Sequence, residues 1–325
     1  MNSEERTSER RIADYEALKR EVGNLFNAGR PGDAVVLLEK EKARFPEHLY
    51  EIIFSLGYGR LITGNPSGAL DAFEEGISKG LWFAFPMDAP VIQPLVGDPR
   101  FRIILATSEV RRKEAQAGSE PGVRVALPDG YAEDREYPLF IALHGWGDDL
   151  REIMDHWVSP VLKAEFLSAF FQSSQVVKMD GGRGWDDLAL GRREIRGLFD
   201  EVADRYPVRP DRVLIGGFSQ GGRMAIDIAL NDILPVAGFI VLCPGGGVPD
   251  GLNLEQATRA ADRGVRGTIL TGDKDPDLAE QRRIADIFEE AGLDLSMVVR
   301  EGLGHWFPED LGDLLDKALR RSLPE

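Results

Sequence analysis

Gly217-Phe218-Ser219-Gln220-Gly221 directly follows the apolar run Arg212-Val213-Leu214-Ile215-Gly216, and these two stretches decide the fold. The apolar run predicts a buried strand, and the Gly-x-Ser-x-Gly pattern after it predicts a tight turn into a helix. The glycines two positions before and after Ser219 give that turn the room it needs. The N–H groups that open the helix point to where negative charge would develop in a reaction. We therefore expect Ser219 to be a nucleophile at the edge of a sheet.

Short apolar runs and helical patterns alternate through the chain from residue 123 onward. The predicted strands cover residues 123–127, 138–143, 175–179, 212–217, 238–243, 267–271 and 296–300, and the predicted helices include 188–206, 220–231, 278–291 and 309–321. Most strand runs are continuously apolar, as parallel strands covered on both faces should be. We expect an α/β domain over residues 119–325, with a doubly wound, mostly parallel sheet. Ligands of such sheets bind at the carboxyl ends of the strands.

The first part of the chain, residues 1–118, has helical spacing and a repeated turn. The stretch Ala28-Gly29-Arg30-Pro31-Gly32-Asp33-Ala34 is followed 35 residues later by Thr63-Gly64-Asn65-Pro66-Ser67-Gly68-Ala69. An amphipathic helix follows each stretch, and a period of about 34 residues resembles that of tetratricopeptide arrays. We expect an all-α, tetratricopeptide-like helical domain before the α/β domain. Two roles stay open for it, a groove for a protein partner and a plain helical layer that packs on the catalytic domain as a wall or lid.

The composition narrows the classes of partner and compartment. The 325 residues include 39 Lys and Arg against 55 Asp and Glu, a net charge of −16, and most of that excess lies after residue 115. Such a surface repels nucleic acid and anionic membranes. The single cysteine, Cys243, allows no intrachain disulfide, and we expect it to be buried and structural. The charged N-terminus does not resemble a secretory signal, and no apolar run approaches the roughly 20 residues of a membrane span. We expect a cytoplasmic protein.

A serine nucleophile needs a base, and the chain offers four histidines. In sheet proteins with this serine turn, the acid and then the histidine follow the serine along the chain. His305, in a glycine-containing loop after the last predicted strand, is the only histidine after Ser219. We expect His305 to be the base, the alternative being a histidine that caps the next helix.

The acid should lie between Ser219 and His305, at the end of a strand. Thr271-Gly272-Asp273-Lys274-Asp275-Pro276 follows a predicted strand and supplies two candidates. The spacing favours Asp275, with Asp273 as its rival. Either aspartate is also a common turn residue or helix cap.

The developing oxyanion needs two backbone donors. One should be the N–H of Gln220, the residue after the nucleophile. The other should come from the loop Leu143-His144-Gly145-Trp146-Gly147, and we expect it to be the N–H of Trp146. The His144 side chain is then a structural part of that turn.

Bulky side chains suggest where a substrate binds. Trp185 follows a predicted strand and Trp306 is adjacent to the expected base, so we expect both to line the substrate-binding pocket, with structural packing as the alternative for each. The segment 143–185 also carries several aromatic residues where an acyl-binding surface would lie. Asp186 and Asp187, with Asp180, are candidate metal ligands, but no histidine accompanies them, and we expect no metal.

Taken together, these motifs resemble the phospholipase/carboxylesterase family of α/β-hydrolases, which includes acyl-protein thioesterase-like enzymes. The resemblance covers about residues 123–322, and Gly-Phe-Ser-Gln-Gly-Gly at 217–222 is its most specific part. It implies hydrolysis of a carboxylic ester or thioester through a Ser219 acyl-enzyme, without a metal or an organic cofactor. It also implies Asp275 and His305 as partners of Ser219. The small members of the family carry no helical array. The resemblance therefore does not identify the acyl group that this protein accepts.

Two other functions remain as alternatives. A serine peptidase on the same fold would use the same three residues, but no device for a peptide terminus is recognisable. A helical-repeat adaptor with a non-catalytic hydrolase scaffold would have no need of them together. The expected substrate is a small or acylated molecule.

Overall fold

The computed structural model describes residues 12–87, 89–247 and 252–323, which divide into two compact units between Glu114 and Ala115. The division lies four residues before the predicted boundary at 118/119. Among the described residues, no helix is long and apolar enough to cross a membrane.

The described residues before 115 form helices and no strand. These helices are α1 (Tyr15–Asn27), α2 (Pro31–Glu41), α3 (Leu49–Ile62), α4 (Pro66–Ser78) and α5 (Pro99–Ala117), the last of which runs past the division. The two repeated turns have the same construction, because Gly29 and Gly64 both take a positive φ and a proline opens the next helix. The small residues Ala34 and Ala69 are fully buried where the helices pack. The assignment of these helices to the tetratricopeptide class stays a prediction.

The second unit contains one seven-stranded sheet. Its strands are β1 (Gly122–Ala126), β2 (Tyr137–Leu143), β3 (Leu167–Gln172), β4 (Val208–Phe218), β5 (Gly238–Leu242), β6 (Arg266–Gly272) and β7 (Asp294–Arg300). They lie in the order β1-β3-β2-β4-β5-β6-β7, and only the pairing of β1 with β3 is antiparallel. β4 is therefore central, and the carboxyl ends of β2 to β7 lie at one end of the sheet.

Helices cover both faces of this sheet. They are α6 (Leu150–His156), α7 (Pro160–Glu165), α8 (Leu188–Arg205), α9 (Gln220–Leu230), α10 (Leu254–Asp262), α11 (Leu278–Glu290) and α12 (Leu311–Ser322). The apolar residues of α8 to α11 pack on one face of the sheet, and those of α6, α7 and α12 pack on the other. Because both faces are covered, the central strands are apolar at nearly every position.

One predicted strand is wrong. Residues 175–179 form no strand, and Val176 makes only an isolated bridge to Arg183. The strand is β3, whose polar Ser168 and Gln172 interrupt the apolar run and hide it. Phe170 and Phe171 of this strand point to opposite faces and are buried in the two halves of the core, so they do not form an acyl-binding surface.

Candidate active site

The turn at Ser219 has the strained geometry that its glycine pattern predicts. β4 ends at Phe218 and α9 begins at Gln220, and Ser219 between them has φ 54° and ψ −120°. A positive φ is uncommon for a residue with a side chain and is maintained only where the surroundings enforce it. A Cβ on Gly217 would collide with the carbonyl group of Gly221, and a Cβ on Gly221 would collide with the carbonyl oxygen of His144. The two glycines therefore allow the close approach of strand, turn and helix.

His305 joins Ser219 to Asp275 in one hydrogen-bonded chain. The Nε2 atom of His305 lies 2.8 Å from Ser219 Oγ, and its Nδ1 atom lies 3.1 Å from each carboxylate oxygen of Asp275. The three side chains come from the loops after β4, β6 and β7. These strands are parallel, so the three loops lie at the same end of the sheet. Asp273, the rival for the acid, instead accepts a hydrogen bond from the Gly302 N–H. It therefore supports the loop before His305.

The carboxylate of Asp275 is buried and is surrounded by donors. Asp277 N–H donates to Oδ1 at 2.8 Å, while the Thr271 hydroxyl and the Gln281 amide each donate to Oδ2 at 3.2 Å. Burial raises the pKa of Asp275, but the Asp277 N–H, the Cys243 thiol, His305 and Gln281 outweigh it, so the pKa lies below its ordinary value. Asp275 is thus held ionised and oriented toward His305.

The N–H groups of Trp146 and Gln220 are the expected oxyanion donors, and that role stays a prediction. Within residues 12–87, 89–247 and 252–323, neither the Trp146 N–H nor the Gln220 N–H donates a hydrogen bond. The Gln220 side chain is directed elsewhere, because it accepts from the Trp185 N–H at 2.7 Å and donates to Asp186 at 2.7 Å. These contacts join the first turn of α9 to the segment around Trp185.

His144 is a fixed, neutral part of the loop that carries Trp146. Its side chain is fully buried, and its Nδ1–H donates to the Gly145 carbonyl while Nε2 accepts from the Ser173 N–H. Burial lowers the pKa of His144 to about 4, so the ring is uncharged at neutral pH. It makes no contact with Ser219, in agreement with the structural role expected for it.

Asp148 supports the same loop, but burial destabilises its ionised carboxylate. Its Oδ2 atom accepts from the Gly145 N–H at 3.0 Å. Burial and the nearby Glu152 raise the pKa of Asp148 to about 6, although Lys178 and the Gly145 N–H act in the opposite direction. An aspartate whose folded pKa exceeds its unfolded value of about 3.8 destabilises the fold when ionised. This penalty is present above about pH 6 and disappears as the pH falls toward 4.

We expect Asp148→Asn to be more stable than the wild type at pH 8, by up to about 2 kcal/mol after allowance for partial exposure. The asparagine keeps an acceptor for Gly145 and removes the charge, so the advantage should vanish by about pH 4. Thermal unfolding followed by tryptophan fluorescence at pH 4, 6 and 8 measures it. Asp149→Asn is the matched control, because Asp149 caps α6 and its pKa is lowered, so this variant should lose stability at pH 8. An equal advantage of Asp148→Asn at all three pH values would contradict the explanation.

The two tryptophans expected in the pocket differ in placement. Trp185 is fully buried, and its Nε1–H donates to the His144 carbonyl at 3.0 Å. This placement favours the packing alternative for Trp185, because the ring lies inside and supports the Trp146 loop. Its role as a substrate contact stays a prediction. Trp306 is 59% exposed and stands edge-on to Phe218, with ring centroids 6.1 Å apart. A role for Trp306 in binding stays a prediction.

Sequence reasoning missed part of the aromatic wall beside His305. Phe218 lies 5.2 Å from the His305 ring and 4.5 Å from Phe307, and His156 stacks on Phe307 at 3.9 Å. The position of Phe218 directly before Ser219 is the signal that could have identified it. His156 comes from a helix 149 residues before His305, and no local pattern relates the two.

The acidic residues considered as metal ligands are occupied by other contacts. Asp187 caps α8 by accepting from the Leu190 N–H, and Asp180 accepts from the Gly182 N–H. Among the described residues, one group of three side chains of metal-binding type lies close together. One potential ligand atom each of Cys243, Asp275 and His305 lies within 4.8 Å of the other two. Burial and the neighbouring Asp275 raise the pKa of the Cys243 thiol to about 12. The thiol is therefore protonated and acts as a weak donor to the Asp275 carboxylate.

Comparisons with known proteins support the fold. No protein-family model matches the sequence, and no curated protein matches it. An uncharacterized protein from Bacillus cereus ATCC 10987 has a similar structure, with 22% identity, a TM-score of 0.52, and coverage of 94% of this chain and 98% of that one. Esterase PE8 is similar over 63% of this chain and 100% of its own, with 17% identity and a TM-score of 0.51. At these identities the likeness shows the fold alone, and the second unit has the α/β-hydrolase fold.

Proposed function

We propose that this protein is a serine hydrolase that cleaves a carboxylic ester or thioester through an acyl-enzyme on Ser219. One observation carries the proposal, namely the continuous chain of hydrogen-bond distances from Ser219 Oγ through His305 to Asp275. The position of Ser219 supports the proposal, because this half-buried serine has a positive φ and directly follows the central strand β4, as the nucleophile of such hydrolases does. The three residues lie in the chain order that such hydrolases use.

In the proposed acylation step, Ser219 Oγ attacks the acyl carbonyl carbon while His305 Nε2 takes the hydroxyl proton. The carbonyl oxygen gains negative charge and is bound by the N–H groups of Trp146 and Gln220. The ionised Asp275 holds Nδ1–H and stabilises the imidazolium. When the tetrahedral intermediate collapses, the bond to the leaving group breaks and His305 gives it the proton. Water then repeats the sequence on the acyl-enzyme and releases the acid.

The surroundings of Ser219 favour an apolar acyl or alcohol group. On the His305 side, the exposed Trp306 and the half-buried Phe307 present aromatic surface, and the buried Phe218 packs against both. Gly245 leaves space on another side, because a Cβ there would lie 3.2 Å from His305 Cε1 and 3.5 Å from Ser219 Oγ. A partner-binding role for residues 1–118 and a cytoplasmic location stay predictions.

A fluorophosphonate probe tests the proposal directly, because it reacts with an activated serine and not with an ordinary one. We expect stoichiometric labelling of the folded protein at Ser219, located by peptide mass, and no labelling of Ser219→Ala. A panel of p-nitrophenyl esters and acyl thioesters of increasing chain length then gives the substrate class, with a peptide p-nitroanilide as the comparison. Absence of labelling in the wild type would reject the hydrolase proposal, whereas labelling with preferential cleavage of the anilide would establish a peptidase.

A further inference from the structure

Gln281 is a fully buried polar residue in the first turn of α11, and its amide faces the candidate active site. Its Nε2 atom lies 3.2 Å from Asp275 Oδ2 and 3.2 Å from the Pro244 carbonyl oxygen. Both neighbours are acceptors, so the NH₂ group must face them and the amide oxygen must face the other way. The orientation of this side chain is thus fixed by Asp275.

The opposite end of the amide has no such partner. Gln281 Oε1 is buried, and no group in the described part of the chain donates to it. A buried acceptor without a donor costs free energy, and native structures tolerate few of them. An apolar residue of the same length would fill the space without this cost. The presence of glutamine therefore requires an explanation other than stability.

The Nε2 atom of Gln281 also joins two loops of the site. Pro244 precedes Gly245, whose N–H donates to the Ser219 carbonyl oxygen at 3.1 Å. Asp275 lies on the separate loop after β6. One amide nitrogen thus connects the loop that carries the acid with the loop that touches the backbone of the nucleophile.

We infer that Gln281 is a positioning residue of the hydrolase. It fixes the Asp275 carboxylate against His305, and it holds the loop that carries Asp275 in register with the loop that contacts Ser219. The inference rests on the proposed function and deepens it. The Gln281 amide donates to Asp275 and to the Pro244 carbonyl, and no hydrogen bond joins it to Ser219 or His305, so we expect it to act through Asp275. Its loss should impair the step in which His305 takes up charge and should leave substrate binding unchanged.

Gln281→Met tests the inference, because methionine keeps the length of the side chain and removes both the donor and the unpartnered oxygen. We expect kcat for a p-nitrophenyl ester to fall about 10- to 100-fold, the effect of losing one hydrogen bond to a charged group, with KM unchanged. In an Asp275→Asn background the same substitution should change kcat less than twofold, since the carboxylate through which it acts is gone.

A purely structural role predicts a different pattern. It would lower activity by the same factor in both backgrounds, and either that result or an unchanged kcat for Gln281→Met would overturn the inference. If Gln281→Met does not fold, the isosteric Gln281→Glu serves instead, and wild-type kcat in that variant at pH 8 would also overturn it. Wild-type protein without fluorophosphonate labelling would mean that the proposed function itself had failed, and the two failures are therefore distinguishable.

Discussion

Ser219→Ala is expected to lower kcat for ester hydrolysis by about 10⁴- to 10⁶-fold, and His305→Ala by a similar factor. Ser219 Oγ and His305 Nε2 lie 2.8 Å apart and act as one proton-transfer unit. Each variant removes one of its two members, the hydroxyl or the imidazole. The double variant should therefore be no less active than either single one. The activity that is left comes from the two oxyanion donors and from substrate binding, so KM should change little.

Initial rates with a p-nitrophenyl ester, measured with each variant at equal folded concentration, give these factors. Ser296→Ala, on the edge strand β7, is the matched control and should keep wild-type turnover. If losses from Ser219→Ala and His305→Ala multiplied in the double variant, the two residues would act independently and the proposed mechanism would be wrong.

Gly272→Ala is expected to reduce both activity and stability strongly, although Gly272 bears no functional group. A Cβ on this last residue of β6 would overlap the carbonyl oxygen of Leu303, two residues before His305. The obstacle is backbone and not the flexible end of a side chain, so one of the two loops must move. The Lys274 N–H joins the same two loops, because it donates to the Leu303 carbonyl oxygen at 2.9 Å. Displacement of either loop separates Asp275 from His305.

We expect Gly272→Ala to lower kcat at least about 100-fold, because misplacement by about 1 Å has effects of that size. It should also lower the free energy of unfolding by about 1–3 kcal/mol, as overpacking typically does. Gly304→Ala is the control, since a Cβ at position 304, adjacent to His305, would meet no atom within 4 Å. Steady-state kinetics and urea unfolding distinguish the two variants. Wild-type kcat in Gly272→Ala would show that the loops are not held as described.

The sequence was most informative where a motif has a mechanical cause. Ser219 was predictable because the glycines around it answer a backbone requirement, and the turn indeed has a positive φ. The structure also brings His305 and Asp275 to it at the expected positions. The choice between Asp273 and Asp275 depends on which loop each side chain faces. Their spacing favours Asp275, and the structure brings Asp275 within hydrogen-bond distance of His305, whereas Asp273 accepts from the Gly302 N–H.

The sequence was least informative about the direction of side chains, because a local pattern does not reveal that direction in three dimensions. Trp185 follows the segment wrongly predicted as a strand, and its ring turns inward to the His144 carbonyl. Gln281 looks like one polar residue among charged ones along α11. A signal was nevertheless present, because Gln281, Ile284 and Phe288 fall on one helical face and all three are buried. A glutamine at an apolar position of a helix indicates a buried polar contact.

The order of the strands has a consequence for how the protein would lose activity. Ser219 stands on β4, which has hydrogen-bonded neighbours on both sides, whereas His305 follows β7, the edge strand, which has only β6 beside it. Local opening costs less free energy at an edge than in the centre of a sheet. The proposed nucleophile is therefore attached to the central strand, where opening costs most, and the proposed base follows an edge strand, where it costs less. Partial fraying of β7 would separate His305 from Ser219 while the core stayed folded, so we expect the proposed activity to be lost before the domain unfolds.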